Sequence, residues 1–114
     1  MSNRDAIVLK KIIQYADEIA GTIIRLELDF DKFKGDYIAK NAIAMCVLQI
    51  GELAGKLTDE FKAEYTKTPW RDITALRNRA AHAYESVDVE MLWNTAIHSV
   101  PELKGYCDDI LKNI

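Results

Sequence analysis

Apolar residues recur along this chain at helical spacing, and no stretch alternates as a strand would. Leu9, Ile12, Ile13, Ala16, Ile19, Ala20 and Ile23 form one stripe, which predicts a helix from about Asn3 to Leu26. Asn3 or Ser2 is placed to cap it, with Asp5 in the first turn. Gly21 lies inside the helix and is read as a point of close packing. From Glu27 to Asp36 the charges and Gly35 predict a loop, with Phe30 and Phe33 as plugs. Asp36 caps a second helix, about Tyr37 to Leu57, on which Ile43, Cys46, Val47, Ile50, Leu53, Ala54 and Leu57 repeat the first stripe. Two matched stripes with a short connection predict an antiparallel pair.

Thr58-Asp59-Glu60 starts a short third helix that ends near Thr66. Pro69 suits the first position of a fourth, which turns Trp70, Ile73, Leu76 and Ala80 inward. Glu85-Ser86-Val87-Asp88 is a break, and Asp88 caps a fifth helix with Val89, Leu92, Trp93, Ala96, Val100 and Leu103 on one face. Pro101 is expected to kink or split it, since its ring clashes with the preceding turn and removes a donor. Tyr106, Ile110 and Ile114 continue the apolar face. The expectation is one all-α domain over residues 1–114, an up-and-down four-helix bundle with one short extra helix.

Composition narrows the class. The chain has 114 residues, 49% of them hydrophobic, enough for a core without staples. Two cysteines, Cys46 and Cys107, with no CxxC, argue against a disulfide framework or structural zinc. The polar start Met1-Ser2-Asn3-Arg4-Asp5 lacks the apolar core of a signal peptide. The uncharged run between Lys40 and Glu52 is too short to span a bilayer. A soluble, cytoplasmic protein with no metal and no cofactor is expected.

The net charge of −3 disfavours a DNA-coating role. Yet between Phe61 and His82 five cations (Lys62, Lys67, Arg71, Arg77, Arg79) face two anions (Glu64, Asp72), a local balance of +3. That basic portion also holds Arg77-Asn78-Arg79-Ala80-Ala81-His82-Ala83-Tyr84, where a cation, an amide, an imidazole and a phenol fall within about two helical turns. Asn78 and His82 are nearly eclipsed on a helix, as are Arg77 and Tyr84. Arg77 and His82 lie roughly 140° apart, so they converge only if the helix bends or two copies share one target. Arginine plus histidine, without a carboxylate pair or a Gly-rich phosphate loop, suits cleavage of RNA. The ribose 2′-OH is the nucleophile, the imidazole moves the proton, and the guanidinium neutralises the phosphate. The plainer alternative is a solvated Arg-rich helix face, a histidine at a helix end and a packed tyrosine. His98 has no matching partners and is read as structural. Cys46 has no basic neighbour, so a thiol nucleophile is not expected.

On the second helix, Gly51 and Gly55 lie one turn apart. They mark either close approach of another backbone or a gap left for a ligand. Glu52 beside them is either a solvated carboxylate or an orienting partner for Arg77 or His82.

Arg77, four residues, His82, one residue, Tyr84 resembles the RX4HXY signature of HepT-type toxins in the HEPN superfamily. Ile50-Gly51-Glu52-Leu53-Ala54, Pro69-Trp70-Arg71-Asp72-Ile73, Val87-Asp88 and Leu92-Trp93 resemble that family too, so the likeness covers most of the chain. It implies an all-α bundle, a homodimer that places two motifs in one cleft, and metal-independent ribonuclease activity. It implies an MNT-type nucleotidyltransferase antitoxin as partner, which transfers AMP onto the motif tyrosine. Carried over, Arg77 and His82 are catalytic, Asn78 supports them, and Tyr84 is the AMPylation site. Ala83 departs from the family, where Gly often precedes the Tyr. A second implication is a non-catalytic HEPN subunit that binds a nucleotidyltransferase and contributes to nucleotide or substrate binding.

Overall fold

The computed structural model describes residues 1–78, 80 and 88–113. Among them there are helices and turns but no strand. The first long helix, α1 (Asn3–Arg25), is capped by Ser2, whose hydroxyl accepts the Asp5 N–H. It buries Val8, Leu9, Ile12, Ala16 and Ile19; Ile13 and Ile23 are half-buried and Ala20 is exposed. The expected stripe is therefore right along its centre and too wide at its flank. At the C-terminal end Leu28 N–H bonds Ile23 O and Glu27 N–H bonds Ile24 O, a paired closure that needs a left-handed residue between them. Glu27 supplies it, at φ 48°.

The segment read as a loop contains a short helix, α2 (Phe30–Gly35). Asp29 caps it by accepting the Lys32 N–H, and Phe33 anchors it at 0% exposure against Trp93, with ring centroids 5.0 Å apart. Burying a ring of this size contributes about 1.5–3 kcal/mol, enough to hold one and a half turns that would not form alone. Phe33 is thus the plug that the sequence suggests. Phe30 is half-buried and lies under the Lys34 ammonium instead.

Asp36 caps α3 (Tyr37–Gly55) through the N–H groups of Ile38 and Ala39. Its buried face includes Ile43, Cys46, Val47, Ile50, Leu53 and Ala54 and packs along α1. The pair is antiparallel: Asp5, at the start of α1, bonds Thr58, just beyond the end of α3. By length and composition alone α3 is apolar enough to cross a membrane; here one side of it is core.

Short α4 (Asp59–Glu64) is capped by Thr58, and α5 (Trp70–Thr74) follows Pro69. Trp70, Ile73, Leu76 and Ala80 are buried, as their spacing predicts. Trp70 donates its indole N–H to Tyr65 O at 2.7 Å, so a large ring is buried without an orphaned donor. The last element is one continuous helix in three parts: α6 (Val89–Asn94), a π turn (Thr95–Ser99) and α7 (Val100–Lys112). The interruption expected at Pro101 falls upstream. Its ring would meet the carbonyl of Ile97 in a regular helix, and the wider turn that contains Ile97 takes up that conflict. Helix α7 packs on α1 and α5 on α3, completing an all-α bundle. Gly21 marks no close packing: it is exposed, and a Cβ there would meet nothing within 4 Å. Ile114 lies outside the described residues.

Candidate functional site

Arg77 lies where the turn after α5 meets α3. Ala75 ends α5, and Asn78 N–H closes back on Ala75 O at 3.0 Å. Residues 76–78 and 80 are helical. Leu76 and Ala80, four apart, are buried at 2% and 0% exposure. They fix this turn against the core, so Arg77 and Asn78 face outward, and both are exposed.

Two neighbours on α3 hold Arg77. Gly51 receives its backbone: a Cβ at that position would stand 2.6 Å from Arg77 N, 3.1 Å from its Cβ and 3.2 Å from its Cα. Of the two readings of the glycine pair, close backbone approach holds at Gly51. At Gly55 a Cβ would meet only the Thr74 Cγ2 methyl at 3.6 Å, an ordinary contact. Glu52, the next residue, takes the side chain. Arg77 Nε lies 2.6 Å from Glu52 Oε1, with the two side chains 61% and 36% exposed. Glu52 is therefore paired with Arg77, and it remains partly solvated. An exposed pair of this kind contributes only about 0–1 kcal/mol. Its significance is geometric: it engages the inner nitrogen, Nε, and leaves the two terminal nitrogens outside this contact.

His82 and Tyr84 lie outside the described residues, as do Arg79 and Ala83. Asp72 is exposed on α5. With Ser99, Glu102 and Leu103 it lines a groove of about 280 Å³ between α5 and α7 that does not include Arg77 or Glu52. His98 is exposed on the π turn. Among the described residues no group of three or more His, Cys, Asp or Glu side chains could hold a metal ion. The two thiols are buried and unpaired with each other. Burial, with Glu18 nearby, pushes Cys46 up to about 11, and burial, with Asp108, pushes Cys107 up to about 12. Neither forms the thiolate a nucleophile needs near neutral pH.

Sequence reasoning passed over a second polar junction. Asp5 is 2% exposed, yet its carboxylate accepts from Thr58 N–H at 2.9 Å, Thr58 Oγ1 at 2.7 Å and Ser2 Oγ at 3.0 Å. Burial alone would raise its pKa; the Thr58 and Ser2 hydrogen bonds and the Arg4 charge outweigh burial and hold it below the ordinary carboxylate value. Only the local part, Ser2 and Asp5 at a helix start, was open to inspection in the sequence. The partner is 53 residues away.

The fold is a helical bundle that presents an arginine at its surface, paired with a carboxylate from the neighbouring helix. Residues 8–110 match the family model described as "Ribonuclease HepT-like", and the chain belongs to that family. A Thermococcus cleftensis protein named "Probable ribonuclease HepT" is 31% identical over 103 residues, 86% of this chain and 94% of that protein. A Methanocaldococcus jannaschii protein named "Putative RNase" is 27% identical over 106 residues, 93% of this chain and 90% of that one. No solved structure matches the chain.

Proposed function

We propose that this chain is the ribonuclease toxin of a HepT/MNT pair, cleaving RNA without a metal ion through Arg77 and His82. The observation that carries the reading is the exposed Arg77 guanidinium, held by Glu52 at 2.6 Å, in a chain of the HepT-like family. The outer edge of the guanidinium offers two parallel N–H donors, the geometry that suits two phosphate oxygens. Charge gathers on those oxygens as the phosphorus becomes five-coordinate, so Arg77 acts most strongly in the transition state. The ribose 2′-oxygen loses its proton to one imidazole and bonds to phosphorus. The bond to the 5′-oxygen breaks, and that oxygen takes a proton from a second imidazole. The products are a 2′,3′-cyclic phosphate and a 5′-hydroxyl. DNA, without the 2′-OH, is not a substrate on this route.

A second imidazole calls for a second copy of the chain. The solvent side of α3 supports a homodimer: Ile38 and Met45 are 63% and 48% exposed, and they share a seven-residue spacing with Glu52, which puts all three on one stripe. No charged residue interrupts the helix between Lys40 and Glu52. A two-fold axis near Glu52 would cover Met45 and bring two Arg77 side chains to one cleft, with Asn78 at its edge. The family resemblance extends the reading to regulation at Tyr84. AMP placed on its phenol oxygen by an MNT-type nucleotidyltransferase adds an anionic phosphodiester to the motif, which would compete with RNA for Arg77. On this reading the protein works in the cytoplasm, where RNA and such a nucleotidyltransferase would meet it.

Purified protein in excess chelator tests the proposal. We expect an oligoribonucleotide to be cut to a cyclic phosphate, the all-deoxy analogue to stay intact, and His82→Ala to abolish cleavage. Full cleavage by His82→Ala would exclude His82 as the source of the activity, and no cleavage by wild type together with a stable nucleotidyltransferase complex would favour the non-catalytic subunit instead.

A further inference from the structure

Glu52 directs the guanidinium, but an exposed ion pair does not by itself fix where the arginine starts. The backbone contact at Gly51 does. The three atoms nearest a Cβ at position 51 all belong to the backbone or first carbon of Arg77, the closest being its amide nitrogen at 2.6 Å. None is the end of a flexible side chain, so no rotamer change relieves the overlap. The turn carrying Arg77 would have to lift off α3 by several tenths of an ångström, while Glu52 stays on α3. The 2.6 Å pair then loses its register. Gly55 provides an internal comparison. It has the same residue type, on the same helix, one turn on, yet a Cβ there meets a methyl at 3.6 Å and displaces nothing.

We infer that Gly51 is a positioning residue for Arg77: the missing Cβ seats the Arg77 backbone on α3 at the height from which its guanidinium reaches both Glu52 and a bound phosphate. The inference rests on the ribonuclease reading for its catalytic consequence, and on geometry alone for its structural one. Placement matters because a catalytic donor displaced by a fraction of an ångström loses much of its preference for the transition state.

The test compares Gly51→Ala, Gly55→Ala and Glu52→Gln by two readouts. In the first, the Arg77 side-chain Nε–H resonance is followed by nuclear magnetic resonance in protein carrying labelled arginine. It should move in Gly51→Ala in the direction that Glu52→Gln moves it, and stay in place in Gly55→Ala. In the second, cleavage of an oligoribonucleotide at saturating protein should slow at least tenfold in Gly51→Ala with little change in KM. In Gly55→Ala it should stay within twofold of wild type. In an Arg77→Ala background Gly51→Ala should cause no further loss, since its effect passes through Arg77. An unmoved resonance overturns the inference, as does a rate loss equal in Gly51→Ala and Gly55→Ala. If Gly51→Ala does not fold, it is repeated with Gly21→Ala, where a new Cβ meets nothing within 4 Å and helix propensity rises. Failure to fold there too assigns Gly51 to packing alone. Absence of cleavage by wild type would remove the ribonuclease reading, while the resonance would still decide the position of Arg77.

Discussion

Two carboxylates sit near the C-terminal end of α3 in opposite circumstances. Asp5 reaches it from the start of α1, is 2% exposed, and is satisfied by neutral donors from Thr58 and Ser2. Glu52 stands on α3 itself, is partly exposed, and is paired with a cation. A buried carboxylate in a closed set of hydrogen bonds cannot exchange partners without a large desolvation cost. An exposed pair can open, turn or share its cation at almost none. The first arrangement closes the bundle by tying α1 to the junction of α3 and α4. The second leaves an arginine whose side chain is 61% exposed, the group that the proposed function assigns to the phosphate. On the proposed function, the two carboxylates divide between stability and activity by burial and by the charge of the partner.

The comparison can be pressed by removing each carboxylate in turn. Asp5→Ala should cost about 2–4 kcal/mol in denaturant unfolding, because Thr58 is left with unmatched donors; a loss under 1 kcal/mol would show that the junction does not close the bundle. Asp5 also sets a pH dependence. Its pKa is held low in the folded state, so its contribution is complete above the unfolded carboxylate value, about 4. It is lost as pH falls below that toward the folded value. Wild-type stability should drop over this acid range more steeply than that of Asp5→Asn. Glu52→Gln should change stability by less than about 1 kcal/mol while altering cleavage. The smallest effect belongs to a position that touches neither carboxylate. Glu27 holds φ 48° at a helix end where glycine is favoured, so Glu27→Gly should raise stability by about 0.5–1 kcal/mol, read as a small rise in melting temperature.

Much of the bundle was legible in the sequence because each long helix carries its own period. Asp36, Thr58 and Asp88 cap the helices expected of them, since a cap is decided within four residues. What escaped is non-local or compensated. The short helix α2 exists because Phe33 meets Trp93, a contact that its charged local sequence does not announce. The break expected at Pro101 is displaced into the π turn at Thr95–Ser99, because a helix can absorb a proline upstream of it. For the site, Gly51-Glu52 and Arg77 were each visible as residues that could act. Their meeting required the packing of Leu76 and Ala80 to aim Arg77 at α3. His82 and Tyr84 enter through spacing and resemblance, and lie outside the described residues.

The central claim is that Arg77 carries the phosphate while contributing little to the fold. Single-turnover cleavage of an oligoribonucleotide by Arg77→Ala, in protein whose unfolding matches wild type, addresses it directly. The expected result is a rate lower by about 10²–10³-fold. A rate equal to wild type would contradict it, leaving the Glu52–Arg77 pair as surface decoration on a helical bundle.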